Sequence, residues 1–181
     1  MFNKALEVIE TKEYFGVDPA RIEVVVHPES LVHALVGFND GALMAHVGPP
    51  DMRHAIGFAL NWPDRRALPV ERLDLVAAGA LTFRAPCERR WPALRLAREV
   101  MATGGLAGAA FNAAKEAALD AFLARRIRFT DMGPVVERVL EAMGAAGELK
   151  SAMPDLDAIT AADHVARNRA RDAAARLAPT A

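Results

Sequence analysis

The sequence contains very little cysteine, few aromatic residues and almost no net charge. One of its 181 residues is cysteine, Cys87, which excludes an internal disulfide and a cysteine metal cluster and is typical of a reducing compartment. Aromatic residues make up 6% of the chain and hydrophobic residues 52%, which indicates helices packed through small side chains. The net charge of -1 offers no electrostatic attraction for nucleic acid. We therefore expect a cytoplasmic protein without a nucleic-acid partner.

Long apolar runs and common catalytic motifs are also missing. The longest stretch without a charged residue, 100–114, contains three glycines and is shorter than the roughly 20 apolar residues of a membrane span. The first residues do not resemble a secretory signal, so we expect no membrane partner. The sequence has no nucleophile elbow, no P-loop and no GxGxxG dinucleotide fingerprint. Composition and motifs alone therefore indicate a soluble α+β domain followed by helices.

The five histidines do not have the spacing of a metal site. None shows the helical i, i+4 pairing or the partner cysteine that would indicate zinc, so packing, hydrogen-bonding or surface positions are expected. His33 lies in an apolar strand pattern and is expected to be a hydrogen-bonded core histidine. The individual roles of four of them stay open: His27, His33, His46 and His54.

Hydrophobic periodicity predicts an α+β first part. A helix runs to Phe15, and alternating side chains predict a strand over Arg21–Val26. Two further strands, over 31–38 and 42–47, are joined by a hairpin at Asp40-Gly41, a pair that tolerates positive φ. Asp51 is expected to cap a helix over 52–61.

A helical bundle is predicted from residue 88 onward. Its four helices cover 91–103, 107–126, a segment capped by Thr130 or Asp131, and a segment that begins near Thr160 with Asp163 as its capping-box partner. We therefore predict a C-terminal piece of a catalytic domain with a mainly antiparallel sheet over 1–61, a connecting segment over 62–87 with a short strand near 80–83, and an α-helical domain over 88–181.

One helical face near the start carries three polar side chains of different chemistry. Asn3 and Glu7 are four residues apart and Lys4 and Glu7 three apart, so their side chains project from the same face. A solvated surface is the common explanation of such a pair. A lysine in the first turn, however, opposes the helix dipole, and a bound anion would remove that conflict. Both interpretations stay open on spacing alone.

Four separate segments together resemble 1-deoxy-D-xylulose 5-phosphate reductoisomerase. They occur in that family's order and spacing, and the resemblance extends over nearly the whole chain. The segments are MFNKALEVIE at 1–10, IEVVVHPES at 22–30, GPPDMR at 48–53 and FNAAKE at 111–116. The family usually has asparagine where this chain has Lys115, a difference that we expect to be structural.

The resemblance implies a function and a set of site residues. The family rearranges and reduces 1-deoxy-D-xylulose 5-phosphate to 2-C-methyl-D-erythritol 4-phosphate in non-mevalonate isoprenoid biosynthesis, with NADPH and a divalent Mg²⁺ or Mn²⁺ ion. By resemblance, Asn3 and Lys4 would bind the substrate phosphate, Glu7 would be one metal ligand, and Pro50 and Met52 would line the pocket near the nicotinamide. A core position on its helix remains the alternative for Met52. The family is usually homodimeric through its sheet, so a homodimer is expected.

The resemblance is confined to the C-terminal half of that enzyme. The NADPH domain and the other acidic metal ligands do not occur in these 181 residues, and one carboxylate holds Mg²⁺ or Mn²⁺ poorly. We therefore expect no complete catalytic site, no tight binding of NADPH or metal, and no turnover by this chain alone. A separately supplied N-terminal half could complete the site. The alternative is a free-standing, non-catalytic dimerisation or binding module.

Overall fold

The computed structural model describes residues 1–177, which form seven α-helices and one two-stranded antiparallel sheet. In chain order the elements are α1 (Phe2–Phe15), β1 (Val32–Gly37), β2 (Leu43–Val47), α2 (Arg53–Asn61), α3 (Leu75–Ala78), α4 (Pro92–Thr103), α5 (Ala107–Leu123), α6 (Met132–Ala145) and α7 (Leu156–Leu177), with 3₁₀ turns at Pro19–Arg21 and Phe129–Asp131. This content agrees with the predicted α+β class. Among these residues no helix combines the length and apolar character that crossing a bilayer requires.

The chain divides into two compact units. One, here called the helical unit, consists of Met1–Val24 and the chain from Cys87 onward, and the other, the sheet unit, is Val25–Pro86. Helix α1 belongs to the helical unit because its buried residues Ala5, Val8 and Ile9 join the core formed by the later helices. The sequence-based division, which grouped residues 1–61, concerns functional domains and remains a prediction.

The helical unit has a core built largely from alanine. Helix α5 packs against α6 and α7, and α1 packs against α4. The core includes Phe111 of α5, which is fully buried, together with buried alanines that repeat along α7 at 162, 166, 170 and 174. Small side chains let helix axes approach closely. The predicted bundle of four helices after residue 88 is confirmed, and α1 adds to it.

The predicted start of the last helix was wrong. Helix α7 begins at Leu156, where Asp155 Oδ1 accepts a hydrogen bond from the Ala158 backbone N–H at 2.8 Å. Thr160 lies inside the helix and its hydroxyl donates to the Leu156 carbonyl at 2.8 Å. Aspartate and threonine side chains can both accept a hydrogen bond from a free backbone N–H in the first turn of a helix. In this helix Asp155 makes that bond, and the helix therefore begins earlier than predicted.

In the sheet unit, the predicted hairpin is confirmed. Strands β1 and β2 pair Ala34 with His46 and Gly37 with Leu43, with a register shift between Val32 and Ala34. The connecting turn includes Gly41 at φ +87°, and Asp40 Oδ1 accepts from the Ala42 backbone N–H at 2.9 Å.

The two other predicted strands were wrong. Arg21, where the first of these strands was predicted to begin, is the last residue of a 3₁₀ turn. Of the residues predicted to form that strand, only Val26 pairs with another segment, through an isolated bridge to Arg84. Residues 80–83, just before that bridge, are likewise not in a strand. Alternating side chains indicate an extended backbone, but a strand also needs a partner along its length. Here the pairing is limited to one residue on each side.

Candidate functional site

Helix α1 presents its polar face as the pattern predicts. Lys4 Nζ donates to Glu7 Oε2 at 2.6 Å, so the ammonium and the carboxylate converge on one point of the half-exposed surface. Asn3, the residue before Lys4, is also exposed. The opposite side of the helix is fixed, because Ala5 is fully buried. The Phe2 ring lies 6.0 Å from the Phe111 ring. The three polar groups therefore stand on a helix that packing holds in place.

The Pro50–Met52 segment follows strand β2 in the sheet unit. Arg53 and Asp51 form a fork of hydrogen bonds, in which Arg53 Nε donates to Asp51 Oδ2 at 2.9 Å, and Asp51 Oδ1 also accepts from the Arg53 backbone N–H at 2.9 Å. These bonds lower the pKa of Asp51 to about 2. Asp51 therefore acts at the start of α2 as predicted, although the helix begins at Arg53 rather than Met52.

Met52 and Pro50 are both exposed in the described chain. The Met52 side chain is 72% accessible, and no part of it joins the buried core. The apolar stripe that would have placed Met52 in the core includes Ile56 and Leu60, which are exposed as well. The alternative of a core position for Met52 is therefore not supported by the described structure.

Two of the histidines make hydrogen bonds, but the expected core position of His33 was wrong, because its side chain is only partly buried. His33 Nε2 donates to the Gly48 carbonyl at 2.9 Å, and His27 Nδ1 donates to the Thr82 carbonyl at 2.8 Å. Carbonyl oxygens only accept, so both nitrogens carry hydrogen. The Glu29 carboxylate lies 3.0 Å from His27 Nδ1, and hydrogen bonding to Thr82 lowers the pKa of Glu29. Within residues 1–177, no three potential ligand side chains are placed to hold a metal ion.

Glu7 alone does not fit a complete divalent-metal site. Its carboxylate supplies two oxygen atoms, and Lys4 occupies one of them with a hydrogen bond. Mg²⁺ requires about six oxygen ligands, usually including water and substrate oxygens. Glu7 is thus suited to be one ligand among several, and within residues 1–177 it belongs to no group of three potential ligand side chains.

Comparison with known proteins identifies the family. A family model described as the DXP reductoisomerase C-terminal domain matches residues 47–169, more than half of the chain. The chain belongs to the 1-deoxy-D-xylulose 5-phosphate reductoisomerase family.

Relatives support the family assignment. The chain is 66% identical over 178 residues to a 1-deoxy-D-xylulose 5-phosphate reductoisomerase of Ruegeria pomeroyi, covering 98% of this chain and 45% of the relative. It is 62% identical to the corresponding enzyme of Jannaschia sp., covering 98% of this chain and 44% of that enzyme. The chain thus spans less than half the length of these relatives.

Solved structures of reductoisomerases have the same fold over this chain. One is the enzyme from Zymomonas mobilis in complex with NADPH, with 39% identity, a TM-score of 0.85, and coverage of 96% of this chain and 45% of that one. Another is a reductoisomerase in complex with NADPH, fosmidomycin and magnesium, with 37% identity, a TM-score of 0.91, and coverage of 96% and 44%. The likeness extends over both compact units of the chain.

A cationic cleft in the sheet unit was not predicted from the sequence. Its volume is about 580 Å³, and its lining includes His46 of β2, His54 of α2 and three arginines of the segment after α2. That segment, with its two prolines and dispersed charges, belongs to the predicted connection over 62–87. The one available signal was the presence of three arginines, Arg65, Arg66 and Arg72, within eight residues. Their spacing alone does not indicate a site, because they come together with α2 only in the folded chain.

Proposed function

We propose that this chain forms the C-terminal part of a 1-deoxy-D-xylulose 5-phosphate reductoisomerase, comprising the end of its catalytic domain and its helical domain. In this function the enzyme rearranges 1-deoxy-D-xylulose 5-phosphate and reduces it with NADPH in isoprenoid biosynthesis. The observation that carries the proposal is the family match over residues 47–169, supported by 66% identity to the Ruegeria pomeroyi enzyme. We place the functional boundaries at 61 and 87.

Residues of α1 bind the substrate phosphate in this proposal. Lys4 supplies a charged donor and Asn3 an amide donor on the same exposed face. The 2.6 Å contact between Lys4 Nζ and Glu7 Oε2 supports a shared site, because it shows that both side chains reach one point. Lys4 would exchange its bond to Glu7 for bonds to phosphate, and charge-assisted bonds of this kind are among the strong ones.

Glu7 and the Pro50–Met52 segment serve the metal ion and the nicotinamide. Mg²⁺ or Mn²⁺, when bound, would polarise the substrate oxygens as a Lewis acid, with Glu7 as one of its ligands. Met52 is accessible and has an adaptable thioether that packs well against a flat ring. Neither group makes a complete site. We infer that the 181 residues alone hold NADPH and metal weakly and do not turn over substrate.

A two-part assay tests this function. Purified 181-residue protein is incubated with NADPH, Mg²⁺ and 1-deoxy-D-xylulose 5-phosphate, alone and after co-expression with the N-terminal part of the Ruegeria pomeroyi enzyme. We expect no substrate-dependent NADPH oxidation alone and measurable oxidation in the complemented sample. Turnover by the chain alone would contradict the proposed incompleteness. Failure of a well-folded complemented sample to react would contradict the proposed function.

A homodimer is the proposed assembly, formed through the sheet. Strand β2 exposes Leu43 at 70% and Met44 at 65% of their surface, and a two-stranded sheet has both of its edges unpaired. The same exposed apolar hairpin favours the second candidate, a non-catalytic dimerisation module. The complementation assay separates the two, since only the enzyme gains activity from the N-terminal part.

A further inference from the structure

The cleft in the sheet unit has an unbalanced positive lining. Five of its residues carry basic groups and none carries a carboxylate. Three of these groups are guanidiniums, which remain charged at any physiological pH. Within the described chain none of the three lies within ion-pair distance of an acidic side chain, in contrast to Arg53, which is held by Asp51. The three cleft arginines are Arg65, Arg66 and Arg72.

The histidines of the cleft experience this positive charge. Burial lowers the pKa of His46, and the charges of His33, His54 and Arg65 lower it further. His46 is therefore held neutral and can form hydrogen bonds through its ring nitrogens. The ring of His54 lines the cleft, and its Nε2 is buried without a hydrogen-bond partner among the described residues. A bound anion would compensate the charges that act on His46.

The walls of the cleft are built by close packing rather than by loose side chains. The Arg65 guanidinium lies 4.3 Å from the centroid of the Phe58 ring, so the ring supports its flat face and leaves its N–H edge available. Leu68 packs so tightly on α2 that a Cβ on Gly57 would lie 2.5 Å from its Cδ2. Leu68 and Val70 also line the cleft beside the basic groups. The cleft thus has a cationic rim and an apolar wall.

We propose that this cleft binds a small organic phosphate, whose oxygens accept hydrogen bonds from Arg65, Arg66 and Arg72 and whose apolar part packs on Phe58, Leu68 and Val70. Guanidinium groups recognise phosphate through paired N–H donors. A volume of about 580 Å³ lies within the usual range for ligand sites, which is about 300–1,000 Å³. The proposal concerns residues of the sheet unit and does not depend on the proposed function.

Phenyl phosphate is the probe, because it joins a phosphate to an apolar ring. In the full chain, its titration is followed through the ring C–H signals of the histidines by NMR. We expect saturable shifts of His46 and His54 and no shift of His164, which lies in α7 of the helical unit. Inorganic phosphate is expected to bind at least about fivefold more weakly and phenol not at all. Absence of saturable shifts, equal shifts at His164, or equal affinity for inorganic phosphate would each overturn the proposal.

Two variants separate a built site from general attraction to charge. Arg66→Gln with Arg72→Gln is expected to weaken phenyl phosphate binding at least tenfold, whereas Arg89→Gln with Arg126→Gln, exposed arginines of the helical unit, changes it less than twofold. Equal loss in both double variants would overturn the proposal.

Gly57→Ala retains every charge but displaces Leu68, and we expect it to weaken binding severalfold. Unchanged affinity in a folded Gly57→Ala protein would contradict the role of the apolar wall.

Discussion

At the scale of single residues, Gly105 occupies a position where neighbouring backbone atoms leave no room for a side chain. Its φ is +56°, and a Cβ there would lie 2.6 Å from the Leu149 carbonyl oxygen and 2.9 Å from the Ser151 nitrogen. Two effects therefore act together, the left-handed conformation and a collision with backbone that cannot rotate away. The Leu106 backbone N–H also donates to the Leu149 carbonyl at 3.0 Å, so the two segments are held against each other.

Gly105→Ala is predicted to destabilise the protein more than a glycine replacement with the same φ and open space. Gly147 provides that control, with φ +72° and no atom within 4 Å of its added Cβ. We expect about 1–2 kcal/mol for Gly147→Ala from the left-handed conformation alone. The loss for Gly105→Ala should be larger by about 1 kcal/mol or more because of overpacking. Urea unfolding measures both, and equal losses would show that the close contact has no energetic effect.

Asp51 is predicted to titrate well below an ordinary aspartate. Hydrogen bonds from the Arg53 side chain and backbone lower its pKa to about 2 from the usual 3.8. Because the folded-state pKa is the lower one, the stabilising contribution is complete above the ordinary pKa and is lost as the pH falls through about 2. The carboxyl ¹³C signal reports the titration. Arg53→Gln should return the pKa toward 3.8, and an unchanged pKa would show that Arg53 is not its main cause.

At the scale of secondary structure elements, helix α5 holds the helical unit together. Phe111 is fully buried on α5, among alanines that let α6 and α7 approach. We predict that Phe111→Ala lowers the free energy of unfolding by about 3–5 kcal/mol, since the small neighbours cannot fill the cavity. Phe15→Ala, at a residue 77% exposed, is the control and should change it by less than about 0.5 kcal/mol. Similar losses for the two variants, measured by helical circular dichroism in urea, would be inconsistent with this core.

Element prediction from sequence succeeded where local signals decide the structure. The hairpin at Asp40-Gly41 and the predicted helix ends at Phe15 and at residue 103, each followed by a glycine with positive φ, depend on backbone preferences that a few residues encode. It failed where a partner elsewhere in the chain decides. The residues from Arg21 to Val26 alternate like a strand but find only one bridge, to Arg84.

The candidate site was foreseeable only in part, for the same reason. The three-residue spacing of Lys4 and Glu7 brings their side chains together within one helix, and the observed contact follows from that spacing. The cleft beside Arg65 could not be foreseen in this way, because His46, His54 and Arg72 meet only through tertiary folding. The roles of Asn3, Lys4, Glu7, Pro50 and Met52 toward ligands remain predictions.

At the scale of the whole molecule, the exposed apolar hairpin predicts self-association. We expect the purified protein to sediment as a dimer at micromolar concentration, and Leu43→Glu with Met44→Glu to give a monomer, because buried unpaired charges disfavour an apolar interface. Leu60→Glu, on the exposed surface of α2, is the control and should remain dimeric. A wild-type monomer at that concentration would contradict the prediction.

The most direct test of the central claim is the substrate dependence of the complemented enzyme when α1 is altered. Lys4→Met should raise KM for 1-deoxy-D-xylulose 5-phosphate by about ten- to a hundredfold, the loss expected for one hydrogen bond to a charged group. Lys12→Met is the matched control, since Lys12 lies on the same helix and bonds Glu13 at 2.8 Å. Its KM should stay within twofold of the unaltered enzyme. Equal KM values for the two variants would contradict the assignment of the α1 polar face to substrate phosphate.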